Sequence, residues 1–450
     1  MNIFGRNKKN LILSKILSST SWLLIEKVLS LAVSFVVAVL LARHLGVNGF
    51  GELSYILALF ALVSPVASLG LNAIVSKEII DNPRRESIIL FTSVFFRLIA
   101  GITIASIFIL GVTALPRISD HERYGLIVMC IALIFSCLSV FEFWFFARMA
   151  AGKLVKIRLA VLLIFFIAKI FALTESYKYK FEVIVTITAL ESMAFGFVYL
   201  LMYRISTNVF NTRISVDIAY GISLLRRSSW LIFSGVLATI NFKVDQVMLR
   251  HMVSDSAVGI YSAAVKVAEV CYYVGDAIVI TVFPLLLEYR KRNRVIYLKR
   301  LQLLSDGLFG VSIAMILVFF STGWYLIPAL LGEEYSESVA ILNIHIFSCI
   351  LMYFRLIASK WIIAEEYLSL SLISHGIGAA INVALNFVLI PRYSGMGAAV
   401  ATIISYLFSC YFVFLFHKRY RVMGLIMTRS LIIPIRVVSK AMNNSKYGDK

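Results

Sequence analysis

The chain has 450 residues, of which 60% are hydrophobic and only 15% charged, with a mean hydropathy of +0.91 and a formal net charge of +19. Soluble domains run at about 45–50% apolar and about 25% charged, so there is too little charge here to coat the two or three water-soluble domains this length would otherwise form, and the same composition excludes a disordered chain. The five cysteines (Cys130, Cys137, Cys271, Cys349, Cys410) all lie inside apolar runs, which excludes a disulfide scaffold and leaves a polytopic membrane protein.

A membrane helix needs about 20 mostly apolar residues. In chain order such runs fall at 20–42, 52–72, 88–112, 124–146, 159–173, 181–203, 229–249, 257–284, 302–330, 338–363, 368–390 and 396–416. The expected fold is therefore all-α, with about twelve transmembrane helices and no soluble domain. The first run is too long for a signal peptide. The ninth is expected to bend at Pro328. Beyond residue 417 the stretch Val422 to Val438 carries Arg429 and Arg436, which predicts an interfacial helix rather than another span.

Lysine and arginine are distributed unevenly between the loops. Those on the side of the N-terminus carry 30, those on the other side 7, and six more lie at membrane depth. Basic loops stay in the cytoplasm, so both termini are expected there. This asymmetry accounts for the net charge without nucleic acid as a partner, and membrane lipids are expected against the basic faces. The far-side loops are all short, which argues against an enzyme working on that face.

The chain also repeats itself. Ser21-Trp22-Leu23 recurs as Ser229-Trp230-Leu231, Arg43-His44 as Arg250-His251, and Gly51 and Ser54 as Gly259 and Ser262. Six spans separate the copies, so both halves point the same way. This predicts two six-helix lobes related by a pseudo-two-fold axis along the membrane normal, with the substrate path between them. The boundaries are an N-terminal lobe at 1–203, a basic cytoplasmic linker at 204–228, a C-terminal lobe at 229–416 and a basic tail at 417–450.

Polar residues recur at helical spacing inside several spans. Ser19, Trp22, Glu26, Ser30 and Ser34 follow it in the first, with Lys27 beside them, and Ser64, Ser68 and Asn72 in the second. Trp230, Ser234, Asn241 and Asp245 follow it in the seventh, with Lys243 flanking. Ser262, Lys266, Glu269, Tyr273 and Asp276 do so in the eighth, and Ser371, His375, Asn382 and Asn386 in the eleventh. A charge at the bilayer centre costs about 2.5–3.5 kcal/mol, so these groups must face water or each other. A shared polar cavity is one answer. Interhelical hydrogen bonding, routine for Ser and Asn, is the other.

Six bases lie at depth (Lys27, Arg97, Lys169, Lys243, Lys266, Arg355) against six acids (Glu26, Glu142, Glu191, Asp245, Glu269, Asp276). Lys266 and Glu269 are spaced to neutralise each other. Arg97, Lys169 and Arg355 have no acidic neighbour in sequence; each either meets an anionic substrate group or pairs with another helix. Glu26, Asp245 and Glu269 are candidates for coupling to protons or sodium. No phosphate-binding loop, nucleophile elbow or metal-ligand spacing occurs, so no cofactor and no catalytic group is expected.

The run Ala42-Arg43-His44-Leu45-Gly46-Val47-Asn48-Gly49-Phe50-Gly51, with Leu69-Gly70-Leu71 and Lys77-Glu78-Ile79 after it, resembles the start of the bacterial polysaccharide transporters. These include the O-antigen flippases, within the superfamily of multidrug, oligosaccharidyl-lipid and polysaccharide exporters. Phe143-Trp144-Phe145-Phe146 and Pro284 are similar to that family's pattern too, whereas Ala147 to Lys153 lacks the acid its members often carry there. The resemblance implies a flippase for a polyprenyl-diphosphate-linked oligosaccharide, serving O-antigen, lipopolysaccharide or capsule assembly beside other polysaccharide-assembly membrane proteins. A cation-coupled drug or metabolite exporter is the alternative. A diphosphate and sugar rings cannot cross about 30 Å of hydrocarbon unaided. The candidate substrate-binding residues of the cavity are Arg97, Lys169, Lys243, Lys266, Arg355, Trp22, Tyr273, Asn382 and His375; of these Arg97, Lys169 and Arg355 are the candidates for the diphosphate, and Trp22, Tyr272 and Tyr273 could stack on sugar faces.

Overall fold

The computed structural model describes residues 3–114, 118–174, 180–207, 215–433 and 436, and among them there are helices and no strand. The helices are α1 (Ile3–Ala67), α2 (Leu71–Asp81), α3 (Glu86–Ala114), α4 (Asp120–Phe135), α5 (Glu142–Ala147), α6 (Ala151–Thr174), α7 (Lys180–Thr207), α8 (Ile218–Met252), α9 (Asp255–Arg292), α10 (Arg294–Leu331), α11 (Ser338–His345), α12 (Ser348–Ala364), α13 (Leu368–Tyr406), α14 (Val413–Phe416) and α15 (Arg421–Leu431).

Among the described residues nine helices are long and apolar enough to cross a membrane, or ten when α11 and α12, bent by 43°, count as one span. Two of these are too long to be single spans. The 43 residues of Ile25–Ala67 and the 48 of Ser369–Phe416 would each extend for more than 60 Å at about 1.5 Å per residue, twice the hydrocarbon thickness. Each contains one residue outside helical geometry, Gly46 (φ 65°, ψ 179°) and Ser394 (φ 50°, ψ −130°), where two helices join across a kink. Counting each as two gives the twelve spans expected.

The boundaries differ in informative places. The fifth span, expected at 159–173, begins at Ala151, so the basic residues 153–158 belong to a helix rather than to a loop. Pro328 lies inside α10, which ends at Gly332 (φ 110°). In the expected interfacial stretch a helix spans Arg421–Leu431, and residues 434, 435, 437 and 438 of that stretch lie outside the described residues. Ser19 has no described side chain, and residues 208–214 of the linker and 437–450 of the tail lie outside the described residues.

By packing, the chain forms two compact units, residues 1–250 with 254–259, and residues 251–253 with 260–450. Helix α8 thus clusters with the first unit, whereas the internal repeat assigns it to the second half. Repeat symmetry and packing in one conformation are different criteria.

In the first unit the aromatic segment is structural. Trp144 lies 5.0 Å from Phe145 and 5.5 Å from Tyr203, ring to ring, in a core with Phe141, Ile89 and Leu224. Two interruptions shape what lies above that core. Pro65 lies within the last turn of α1, Leu69 and Gly70 then turn through positive φ (53° and 59°), and Ser68 Oγ donates to the Pro65 carbonyl at 2.9 Å. A Cβ on Gly70 would stand 2.9–3.0 Å from backbone atoms of Ile232 and Ser228, so the turn closes on α8 only with glycine. In the fourth span, Ser136–Phe141 is a 3-10 segment between α4 and α5, a tightening that often marks functional positions.

At the basic-loop end, Tyr220 donates to Glu78 at 2.5 Å and Arg227 pairs with the same carboxylate at 2.7 Å. Arg85 reaches Asp217 at 3.0 Å, and Asp217 in turn caps the start of α8 through the Tyr220 amide. These bonds fasten α8 to α2 and the turn that follows it. Burial pushes the Glu78 carboxyl up, but bonds from Tyr220 and Arg227 and the charges of Arg227 and Lys77 outweigh it and hold its pKa below the usual carboxylate value.

Candidate functional site

The first unit encloses a cavity of about 990 Å³. Its walls come from α1, α3, the fourth span, α6, α7 and α8. The polar stripes of the first two spans meet here: Glu26, Ser30, Ser64, Ser68 and Asn72 all line it, and the break at Pro65 and Gly70 opens the wall between them. Ser136 and Ser139 from the 3-10 segment, Ser192, Tyr199 and Thr239 complete a lining rich in hydroxyls.

Four charged side chains face this cavity, and they are not equivalent. Arg158 on α6 is fully engaged. Its Nη1 reaches Glu26 at 3.0 Å, Nη2 reaches Glu142 at 2.6 Å, and Nε donates to the Tyr199 hydroxyl at 2.6 Å. One guanidinium thus ties four helices together and neutralises much of two carboxylates, the arrangement a buried charge group requires. Arg97 on α3 is the opposite case. It is 4% exposed, one amino group (Nη2) donates to Ser139 Oγ at 3.2 Å, and Nε and Nη1 have no acceptor among the described residues. Burying donors without partners is costly, so Arg97 is a residue of the cavity lining with unused bonding capacity. It lies eleven residues into α3, about 16 Å along the helix axis, near mid-membrane depth.

The other sequence candidates are dispersed. Lys169 is buried against Glu191 at 2.5 Å and does not line the cavity. Trp22 packs over Gly152 and receives Lys156 at 5.4 Å from its ring, outside the lining. Asp245 is buried in α8, and Lys243 is half-buried two residues before it.

In the second unit Lys266 and Glu269 pair with each other at 2.9 Å, and Tyr273 is 37% exposed. Tyr272 bonds Ser348 at 2.5 Å and His345 at 3.2 Å. Arg355 is buried and donates to Ser374 Oγ and His375 Nε2, while Ser374 Oγ donates to the Ser409 carbonyl at 2.8 Å, inside a π-helical segment, Leu407–Phe412. Asn386 donates to Asn382 at 3.1 Å, and both are fully buried. Arg355 and His375 therefore sit in interhelical polar packing, whereas Asn382 and Asn386 bond to each other along α13.

Sequence reasoning missed Arg158 as a site residue because it ends a basic run that reads as a loop. The available signal was Glu142, an acid at depth with no cation on its own span. No group of His, Cys, Asp and Glu among the described residues could hold a metal ion.

Comparison with known proteins agrees with this architecture. The family model described as "Polysaccharide biosynthesis protein" matches residues 16–290. The Staphylococcus aureus capsular polysaccharide biosynthesis protein CapF is 26% identical over 191 residues, 42% of this chain and 48% of CapF, so the alignment spans about half of that relative's length. Among solved structures, lipid II flippase MurJ in an inward closed conformation superposes with a TM-score of 0.73 at 13% identity, covering 92% of both chains. An inward-facing multidrug resistance MATE transporter of the MOP superfamily gives 0.66 at 14% identity, covering 88% of this chain and 95% of that one. The all-α, twelve-span, two-lobe fold is the one these transporters share. With a family model matched over more than half its length, the chain belongs to the polysaccharide biosynthesis protein family, on the fold of the MOP superfamily.

Proposed function

We propose that the protein is a flippase for polyprenyl-diphosphate-linked oligosaccharides, carrying repeat units for O-antigen or capsule assembly from the cytoplasmic to the periplasmic leaflet by alternating access. It would sit in the inner membrane with both termini cytoplasmic. The observation that carries this reading is Arg97, a buried cation in the lining of a hydroxyl-rich cavity, with two donor nitrogens that have no acceptor among the described residues. A diphosphate supplies the acceptors that guanidinium lacks here, and charge-assisted bonds of this kind are the strong ones. The serine and threonine hydroxyls suit sugars, and the lipid tail can remain in the bilayer. The family match and the neighbour named a lipid II flippase point the same way. A cation-coupled exporter is favoured less, because Arg158 already occupies the two cavity carboxylates that an organic cation would need. Glu26, Asp245 and Glu269 stay as coupling candidates, to be dropped if transport in proteoliposomes ignores both proton and sodium gradients.

The test is Arg97→Ala and Arg97→Lys in a strain lacking the chromosomal copy. Charge-assisted hydrogen bonds are worth about 1.5–3 kcal/mol, so alanine is expected to weaken substrate handling by about ten- to a hundredfold and to leave lipid-linked repeat units on the basic-loop side of the membrane. Lysine restores part of the activity. Because Arg97 makes no ion pair with a described residue, its removal leaves no orphaned acid, and protein level and melting temperature stay at wild-type values. Full surface glycan from Arg97→Ala at native expression overturns the reading.

A further inference from the structure

The second unit carries another built cavity, of about 800 Å³, between the first three turns of α10 and the tail helix α15. Buried polar bonds weld the two helices. Gln302 Nε2 donates to Asp306 at 2.7 Å, to the Ile426 carbonyl at 3.1 Å and to Ser430 at 3.1 Å. Ser430 Oγ lies 2.8 Å from Ser305 Oγ, both residues being fully buried. Arg436 Nη1 closes the end of the groove on Asp306 at 3.3 Å. The one carboxylate in the lining is thereby occupied.

Two cations remain on opposite walls, Lys299 on α10 and Arg429 on α15, and neither pairs with a described residue. Between them the lining is aliphatic, and four of its side chains are open: Val295 (62%), Leu303 (61%), Val422 (38%) and Leu425 (44%). Two cations, exposed aliphatics beside them, and a position at the basic end of a membrane span form one pattern.

We propose that this groove is a binding site for one anionic phospholipid of the surrounding leaflet, its phosphate bridging Lys299 and Arg429 and its acyl chains lying along Leu303 and Leu425. A free phosphate would satisfy the cations but leave the aliphatic wall in water. The following residues 437–450 carry Lys440, Lys446 and Lys450 against Asp449 alone, a charge of the wrong sign to occupy the site. A lipid held there straps α15 to the span through both helices' cations. The inference rests on this groove alone and is independent of the flipping reaction.

The experiment uses the full chain in nanodiscs of phosphatidylcholine with increasing phosphatidylglycerol, read by native mass spectrometry for retained lipid. Basic residues at a membrane surface contribute about fivefold each to anionic lipid binding, so Lys299→Gln with Arg429→Gln is expected to weaken one retained phosphatidylglycerol about thirtyfold. The control pair Arg226→Gln with Lys291→Gln, both exposed and outside the lining of the groove, leaves it unchanged. Equal retention by the wild type and the groove variant overturns the site, as does equal loss in the control pair, which would mean diffuse surface charge. Displacement of the lipid by millimolar inorganic phosphate overturns the choice of a lipid. Tighter binding after removal of residues 437–450 identifies the tail as the resident occupant and also overturns it.

Discussion

Gly51 and Gly259, the two repeat-related glycines, meet in the structure. A Cβ on Gly51 would stand 1.9 Å from the Asp255 carbonyl oxygen and 2.9 Å from the Gly259 amide, and one on Gly259 would stand 2.1 Å from the Val47 carbonyl oxygen. The obstructing atoms are backbone, so no rotamer relieves the contact. Real Cβ atoms essentially never come closer than 3.0 Å, and the helix starts at Gly51 and Asp255 must separate by at least about 1.1 Å to admit one methyl group. Overpacking of this kind costs about 1–3 kcal/mol. Under alternating access, that penalty falls only on states in which the two segments touch, a shift of about 5- to 150-fold in their population. The assay uses Ser54→Cys, a buried position one turn after Gly51, against a background in which all five native cysteines are buried. Labelling by a membrane-impermeant maleimide in intact cells is expected to accelerate at least fivefold when Gly51→Ala or Gly259→Ala is added. Unchanged labelling together with an unchanged melting temperature would refute the reasoning.

Three further outcomes follow from the ion pairs. Lys169→Met alone is expected to lose about 3–5 kcal/mol by stranding Glu191, and adding Glu191→Met to recover most of it; a single variant with native stability and no glycan would instead make Lys169 a substrate ligand. Arg158→Leu strands Glu26 and Glu142 and is expected to lower both melting temperature and expression, whereas Tyr199→Phe removes one of three bonds and costs about 1 kcal/mol. Glu78, whose folded pKa is depressed, contributes stability that is complete above its ordinary value of 4.5 and lost as pH falls through the lower folded value. Melting curves of wild type and Glu78→Gln should therefore differ most above pH 4.5 and converge below it, and a constant difference across that range would remove the clasp from the account.

The helices were legible because hydrophobic runs of about 20 residues have few alternatives in a chain this poor in charge. The breaks that place the site were less so. Gly46 and Ser394 both turn the chain sharply, and only glycine advertises that conformation in sequence. Pro65 marked a kink, but the opening it makes depends on Gly70 closing against Ile232 and Ser228, which are more than 150 residues away. The Gly51 and Gly259 match was visible as a repeat; that the two copies touch is a fact of packing no periodicity contains.

Charge was the least legible feature, because a buried charge takes its role from a neighbour in space. Arg97, Lys169 and Arg355 looked alike, each a base at depth without a nearby acid. The fold gives Lys169 a carboxylate on the next helix and gives Arg355 a histidine nitrogen and a serine hydroxyl, leaving Arg97 with only Ser139. Each outcome follows from which helix face packs against which, and the stripes constrain that only in part. Glu26 shows the same dependence from the other side. Its partner, Arg158, entered the cavity because α6 starts at Ala151, eight residues before the apolar run begins. Amphipathic arginines extend a span into what hydropathy counts as loop, since their stems are apolar and only the tip must find a partner. In this cavity the tip finds two carboxylates and a phenol, and so Arg97 is the cavity cation left without an ion pair among the described residues.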